Sequence, residues 1–397
     1  MMRRNRRRSS VCGRIVGLLL ALHSGAWAVT TLAPGNDDQV LEVLPAVTRN
    51  RPVQLGTKAP APGAANPVLV AQQARDAISV ARQTGDSRYW GRAQSALAPW
   101  WDRADAPPDL AVLQATVQQG RHEFDAARKL LTTTLQRSPG HAQGWLNLAA
   151  LERLSGRYSE SLRACAAVAR AGQALYAQAC QLETRSLQGD TTAAGQGLRA
   201  LLAAATEPGQ RSWLLSLLAE HLERAGDDSG AARAYRDSLE QEADLYTAIA
   251  YSDLLLRTGR AALALRALEP LPMTDAVLLR RAAAWRRSGD SRWSTVHAEL
   301  RERAAELKRR GDDPTLHGRE LALAAWWLAD DAQSALQLAR ANLLLQREPV
   351  DWWLAISVAR QARDTTAVAQ IEAELRASGL HDTRLALVAA AKPRAWP

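Results

Sequence analysis

The chain has one phenylalanine, three methionines, three cysteines and seven histidines in 397 residues. With one Phe, the aromatic bulk of any core falls on the 13 tryptophans. There is no HExxH, no GxSxG elbow, no phosphate-binding glycine loop and no CxxC, so the common motif-borne chemistries have no foothold. The apolar run Ile15–Leu22 is far short of the roughly 20 residues that cross a bilayer, and no other segment is apolar enough to do so. Metal-ligand clusters are also lacking. Glu220-His221-x-Glu223 and His317-x-x-Glu320 each put two groups on one helix face, but neither has a second cluster nearby in sequence. They read as solvated helix faces, and neither metal nor cofactor is expected.

What is present begins with an export signal. Arg3, Arg4, Arg6, Arg7, Arg8 and Arg14 lead into that apolar run, and Ala26-Trp27-Ala28 offers a small-x-small cleavage site. Residues 1–28 therefore read as a Sec-type signal peptide, cleaved after Ala28. The mature chain is then periplasmic or secreted, with no membrane span. Those six arginines, with no acid among them, lower the formal charge from +9 to +3 once removed. A basic tract is the usual footprint of nucleic-acid binding, and none survives, so nucleic acid is not an expected partner. Residues 29–65 follow as an extended, proline-rich segment, with Pro34, Pro45, Pro52, Pro60 and Pro62. Its apolar patch, "DDQVLEVLPAV" at 37–47, either packs on the first repeats or docks elsewhere.

From residue 66 the chain repeats. Gly85, Gly120, Gly156, Gly189, Gly226, Gly259 and Gly289 punctuate stretches with helical apolar spacing, at intervals of 30 to 37 residues. A period in the thirties indicates an all-α solenoid of helix pairs, each glycine supplying the positive φ of a helix C-cap. Ala149, Ala219, Ser252 and Ala282 stand seven residues before their glycines. Ser161, Ala194, Ala231, Ala264 and Ser294 stand five after. Small residues at fixed distances either side of a turn let two antiparallel helices approach.

This arrangement resembles the tetratricopeptide repeat, most clearly in "WLNLAALERLSGRYSESLRACAAV" (145–168) and "LLAEHLERAGDDSGAARAYRDSLE" (217–240). Pro139 and Pro349 stand where the repeat's closing proline belongs. The likeness covers residues 66–380, about nine units, with 381–397 as a tail. Departures include Leu113 and Leu182 at small positions, a longer turn after Gly120, an insertion at 301–315, and late turns without glycine (Ala329-Asp330-Asp331 and Ala362-Arg363-Asp364). "RYWGRAQSALAPWW" (88–101) and "REPVDWWL" (347–354) are also similar to exported repeat proteins of proteobacteria, which implies no activity.

The resemblance implies a right-handed superhelix whose concave wall comes from the first helix of each pair. That wall would carry Gln143, Leu146, Asn147 and Arg153, then Tyr176, Glu183, Trp213, Glu220, Glu223, Tyr246, Ile249, Asp253 and Arg257. Mixed aromatic, apolar and ionic groups suit an extended peptide. The family's carboxylate clamp is absent: Asn147 matches one place, but Leu146 and Ala150 occupy others. Cys165 would lie on the second helix of one unit and Cys180 on the first helix of the next, either as buried thiols or as a disulfide. Of the pairs Trp100-Trp101, Trp326-Trp327 and Trp352-Trp353, one ring of each is expected in the core and its neighbour elsewhere, since adjacent helical residues point about 100° apart. The functional reading is a non-catalytic, exported scaffold for protein or peptide partners in the cell envelope. The alternatives are a ligand- or metal-binding protein or enzyme with a site at 296–320, and a self-associating assembly subunit.

Overall fold

The regular spacing of small residues and glycines translates directly into stacked hairpins. The computed structural model describes residues 65–309 and 313–390. The expected signal peptide, its cleavage site, and the 37–47 patch lie outside them. Among the described residues there are nineteen α-helices and no strand. They form nine antiparallel pairs: α1 (Pro67–Thr84) with α2 (Arg88–Leu97), α3 (Pro108–Gly120) with α4 (Phe124–Arg137), α5 (Ala142–Leu154) with α6 (Tyr158–Arg170), α7 (Ala174–Leu187) with α8 (Thr191–Ala204), and α9 (Pro208–Arg224) with α10 (Asp228–Gln241). The series continues as α11 (Leu245–Arg257) with α12 (Ala261–Leu268), α13 (Asp275–Arg287) with α14 (Arg292–Arg309), α15 (Gly318–Trp327) with α16 (Ala332–Leu345), and α17 (Pro349–Gln361) with α18 (Thr365–Ser378). A last helix, α19 (Thr383–Ala390), occupies part of the tail and packs on α17. This is an all-α solenoid of stacked antiparallel helix pairs, as the repeat pattern predicts.

Each hairpin turn has a chemical reason. Gly156, Gly189, Gly226, Gly259 and Gly289 take φ between +71° and +92°, the left-handed cap that favours glycine. In Gly-Asp turns the aspartate then caps the second helix: Asp190 accepts from the N–H of Ala193, and Asp227 from that of Gly230. Gly120 departs from the expectation. It is the last residue of α3, and His122 takes the left-handed conformation at φ 61°. What requires glycine at 120 is Trp90, whose ring would lie 2.4 Å from an added Cβ. The late turns place Asp330 and Arg363 at φ 56° and 58° in the same role.

Ala149, Ala219, Ser252, Ala282, Ser161, Ala194, Ala231 and Ala264 are completely buried between helices. Ser294 is not; it is exposed, and its neighbour Trp293 makes the contact with the core instead. Leu182 is accommodated by Gly197 on the partner helix, where a Cβ would come within 2.6 Å of the leucine. The expected insertion at 301–315 is mostly an extension of α14, followed by a 3-10 turn at Pro314–His317. Trp326 and Trp327 are both buried, against the expectation of one in and one out; Trp352 is buried and Trp353 lies against Trp326, ring centroids 5.4 Å apart and planes tilted by 50°.

The array also meets itself. The turn of pair n touches the start of pair n+6. Gly85, in the first turn, lies against Thr274, which caps α13. His122 stands edge-on to His317 at 5.8 Å, ahead of α15. The N–H of Arg347, ahead of α17, donates to the carbonyl of Leu154 at 2.7 Å, and that of His381, ahead of α19, to the carbonyl of Leu187 at 2.8 Å. This seam is not merely polar. Tyr158 and Leu187, from the third and fourth pairs, share one buried cluster with Leu343, Trp352, Leu380 and Leu385.

Candidate binding cavity

Because one turn of the superhelix closes on the next, the first helices enclose a chamber of about 910 Å³. That lies within the range of ligand sites, roughly 300–1,000 Å³. It admits an extended chain or a compact ligand and excludes a folded domain.

Five of the thirteen residues expected on the concave wall line this chamber: Arg153, Glu183, Trp213, Glu220 and Tyr246. Tyr176 stands behind Trp213, with ring centroids 5.4 Å apart. The other seven serve elsewhere. Leu146 packs against the core of the third pair. Exposed Gln143 donates to the side-chain oxygen of Asn147, and buried Asn147 donates to Thr116 at 2.9 Å. Ile249 is half-buried. Glu223 is buried and accepts from Tyr235, Arg257 and Arg384; Arg257 also pairs with Asp228, and Asp253 with Arg280.

These contacts belong to a chain of ion pairs running from helix to helix along the inner face. Arg153 meets Glu183 at 2.8 Å, joining α5 to α7, and Arg257 meets Glu223 at 3.2 Å, joining α11 to α9. Arg280 on α13 bridges Asp253 on α11 and Glu320 on α15; Arg319 continues to Glu348 and Asp351 ahead of and within α17. Burial alone would lower the pKa of Arg280, but Asp253 and Glu320 outweigh it and hold the group firmly charged. Burial pushes Asp351 up to about 6 in spite of Arg319. Removing one member of such a buried pair typically costs about 3–5 kcal/mol, because the other charge is stranded. The inner face is thus bound first to itself.

Glu220 stands apart. It accepts from the Tyr246 hydroxyl at 2.8 Å, while its nearest guanidinium, Arg224, is 3.7 Å away. Arg224 is in turn committed to Ser186, to which it donates from two nitrogens at 3.0 and 3.3 Å. Burial raises the pKa of Glu220 to about 7; Arg224 opposes this incompletely, and Glu183 and Glu348 add to it.

The neighbouring His221 and Glu223 are not a solvated face, as the sequence had suggested, but are buried. His221 shares a hydrogen bond with Ser186 at 2.9 Å, and burial, reinforced by Arg224, lowers its pKa to about 4. His317 faces His122, and Glu320 is taken by Arg280. Among the described residues no three metal-ligating side chains converge. None of the described helices is long and apolar enough to cross a membrane.

Cys165 on α6 and Cys180 on α7 are joined as a disulfide, with Cα atoms 5.6 Å apart. Arg153 donates to the Cys180 sulfur at 3.7 Å, so the bridge backs the Arg153–Glu183 pair on the chamber wall.

Wall residues that the sequence reading missed come from distant pairs: Arg82 from the last turn of α1, Pro270 and Pro272 from the loop between the sixth and seventh pairs, and Arg347 and Glu348 from the loop before the ninth. No local signal marks them, because they reach the chamber only through the six-pair register.

No family model matches the chain, and no curated protein matches it. Among solved structures it is similar to the human IFIT1 dimer with PPP-AAAA, at 10% identity over 79% of this chain and 73% of that one, with a TM-score of 0.45. It is also similar to yeast Tom70 (11% identity, 81% and 88% covered, TM-score 0.25) and to the TPR domain of P58(IPK) (14%, 78% and 99%, TM-score 0.25). The helical-repeat class rests on the pairing, small-residue contacts and turns of the chain itself.

Proposed function

We propose that this protein is an exported, non-catalytic scaffold that holds an extended segment of a partner protein inside its superhelix. One observation carries the reading: the chamber is open enough for a peptide, yet most charges around it are already paired with one another. Such a wall is suited to contacts, its charges being largely committed to one another. Extended surfaces of this kind are the usual product of stacked repeats, and peptide recognition in a groove uses mixed apolar and ionic anchors.

Export to the periplasm or beyond is part of the proposal. It is supported by the arginine-led segment ending at Ala28 and by the Cys165–Cys180 disulfide, which suits an oxidising compartment. Sequencing the protein recovered from an envelope fraction should give Val29 as its first residue; a chain starting at Met1 in the cytoplasm would refute export.

The binding reading is tested by photo-cross-linking in the native envelope. A photoreactive residue at Trp213 should trap one short stretch of a partner, located by mass spectrometry, while the same residue at exposed Arg236 should not. Trapping at both positions alike, or at neither, would overturn it.

A further inference from the structure

We propose that the chamber receives a single basic side chain, lysine or arginine, of the bound segment, its charged head at the Glu220 carboxylate and its stem across Tyr246 and Trp213. This rests on the reading that the chamber holds an extended peptide.

Three observations lead there. First, Tyr246 is anchored by its hydroxyl to Glu220, yet 58% of its surface is open, and it opens into the chamber. An aromatic face left bare inside an enclosed space is the costly state; covering it with an aliphatic stem removes apolar surface from water. Second, Trp213 forms the adjoining wall, held by Tyr176 behind it, so two aromatic faces flank the place a cation would occupy. Third, Glu220 and the two carboxylates that face it, Glu183 and Glu348, are unequally compensated. Glu183 has Arg153 at 2.8 Å and Glu348 has Arg319 at 2.6 Å. Glu220 has only Arg224 at 3.7 Å, shared with Ser186. A ligand ammonium or guanidinium would supply the missing counter-charge, and ion-assisted hydrogen bonds of this type are among the stronger ones.

The same wall limits the charge it accepts. Arg82, Arg153, Arg224 and Arg347 stand there against Glu183, Glu220, Glu242, Asp244 and Glu348, so one basic side chain completes the balance and a polybasic tract exceeds it.

The test uses the exported chain and a library of blocked heptapeptides, randomised except for Lys, Arg, norleucine or Glu at the centre. Basic-centred peptides should be retained at least about tenfold over norleucine-centred ones. Glu220→Gln should abolish that preference. Tyr246→Phe, which keeps the ring, should leave most of it. Should Glu220→Gln not fold by circular dichroism, Tyr246→Leu must lose the preference instead. Peptide binding with no basic preference, or a preference that survives these changes, overturns this inference while leaving the scaffold reading intact. Failure to bind heptapeptides of any centre overturns both.

Discussion

The main-chain N–H of Arg347 donates to the carbonyl of Leu154 across 2.7 Å, tying the ninth helix pair to the third. Its counterpart further along the seam, Arg384 against Glu223, is ionic. Glu223 retains Arg257 and Tyr235 when Arg384 is removed. Arg384 also pairs with Asp382, whose side chain is completely buried, and its removal strands that carboxylate; Arg384→Ala should therefore cost about 3–5 kcal/mol. Urea denaturation measures this. In an Arg384→Ala/Glu223→Gln double variant the loss should fall short of the sum of the singles.

Glu220 gives a pH signature of stability. Its pKa rises from 4.5 in the unfolded chain to about 7 in the fold, through burial first. The groups that face it are Arg224 on its own helix, Glu183 from α7, Tyr246 from α11 and Glu348 ahead of α17. Because the folded pKa is raised, the folded state binds more protons between those values. Stability from this group is complete below pH 4.5 and is lost as pH climbs through 7. Relative to Glu220→Gln, the native protein should thus lose on the order of 3 kcal/mol between pH 4 and pH 8, at about 1.4 kcal/mol for each pH unit that separates the folded and unfolded pKa. Parallel stability curves for the two proteins would contradict this.

The disulfide closes a loop with a sequence separation of 15, for which chain entropy gives about 3 kcal/mol. Calorimetry with and without dithiothreitol should show a clear drop in melting temperature under reduction. A Cys165→Ser/Cys180→Ser variant should melt near the reduced protein and no longer respond to the reductant.

Arg363 is exposed, yet it holds φ at 58° in a turn where earlier repeats place glycine. Arg363→Gly should stabilise by up to about 1 kcal/mol, the strain of a left-handed L-residue less the extra freedom of glycine when unfolded. Gly259→Ala, at φ 73° with open space around it, should destabilise by a similar amount. Thermal melts of the two variants should move in opposite directions.

The hairpins were legible because their determinants are local. A glycine, a following aspartate and small residues at fixed distances report on a turn and on two helices close in sequence. Local reading also erred where a neighbour overruled it: at Gly120, kept by the Trp90 ring while His122 made the turn, and at Ser294, left exposed while Trp293 packed. For the site, the sequence named the wall helices and five of the chamber residues, Glu220 and Tyr246 among them. It could not tell which inner-face charges are free. Asp253, Glu223 and Arg257 find their partners on other helices, and Arg82, in the last turn of α1, meets Arg347, ahead of α17, only across the chamber.

An open rod of repeats can unravel from either end, one unit at a time, because each unit leans only on its neighbours. Here the second lap rests on the first, through Tyr158 and Leu187 as well as through main-chain bonds. Fraying of α17–α19 would bare the hairpin bends of the third to fifth pairs, so damage at the last units is felt near the front. The lapped coil should behave as one cooperative body, and its long-range contacts should make it slower to assemble than an array of equal length whose laps never touch.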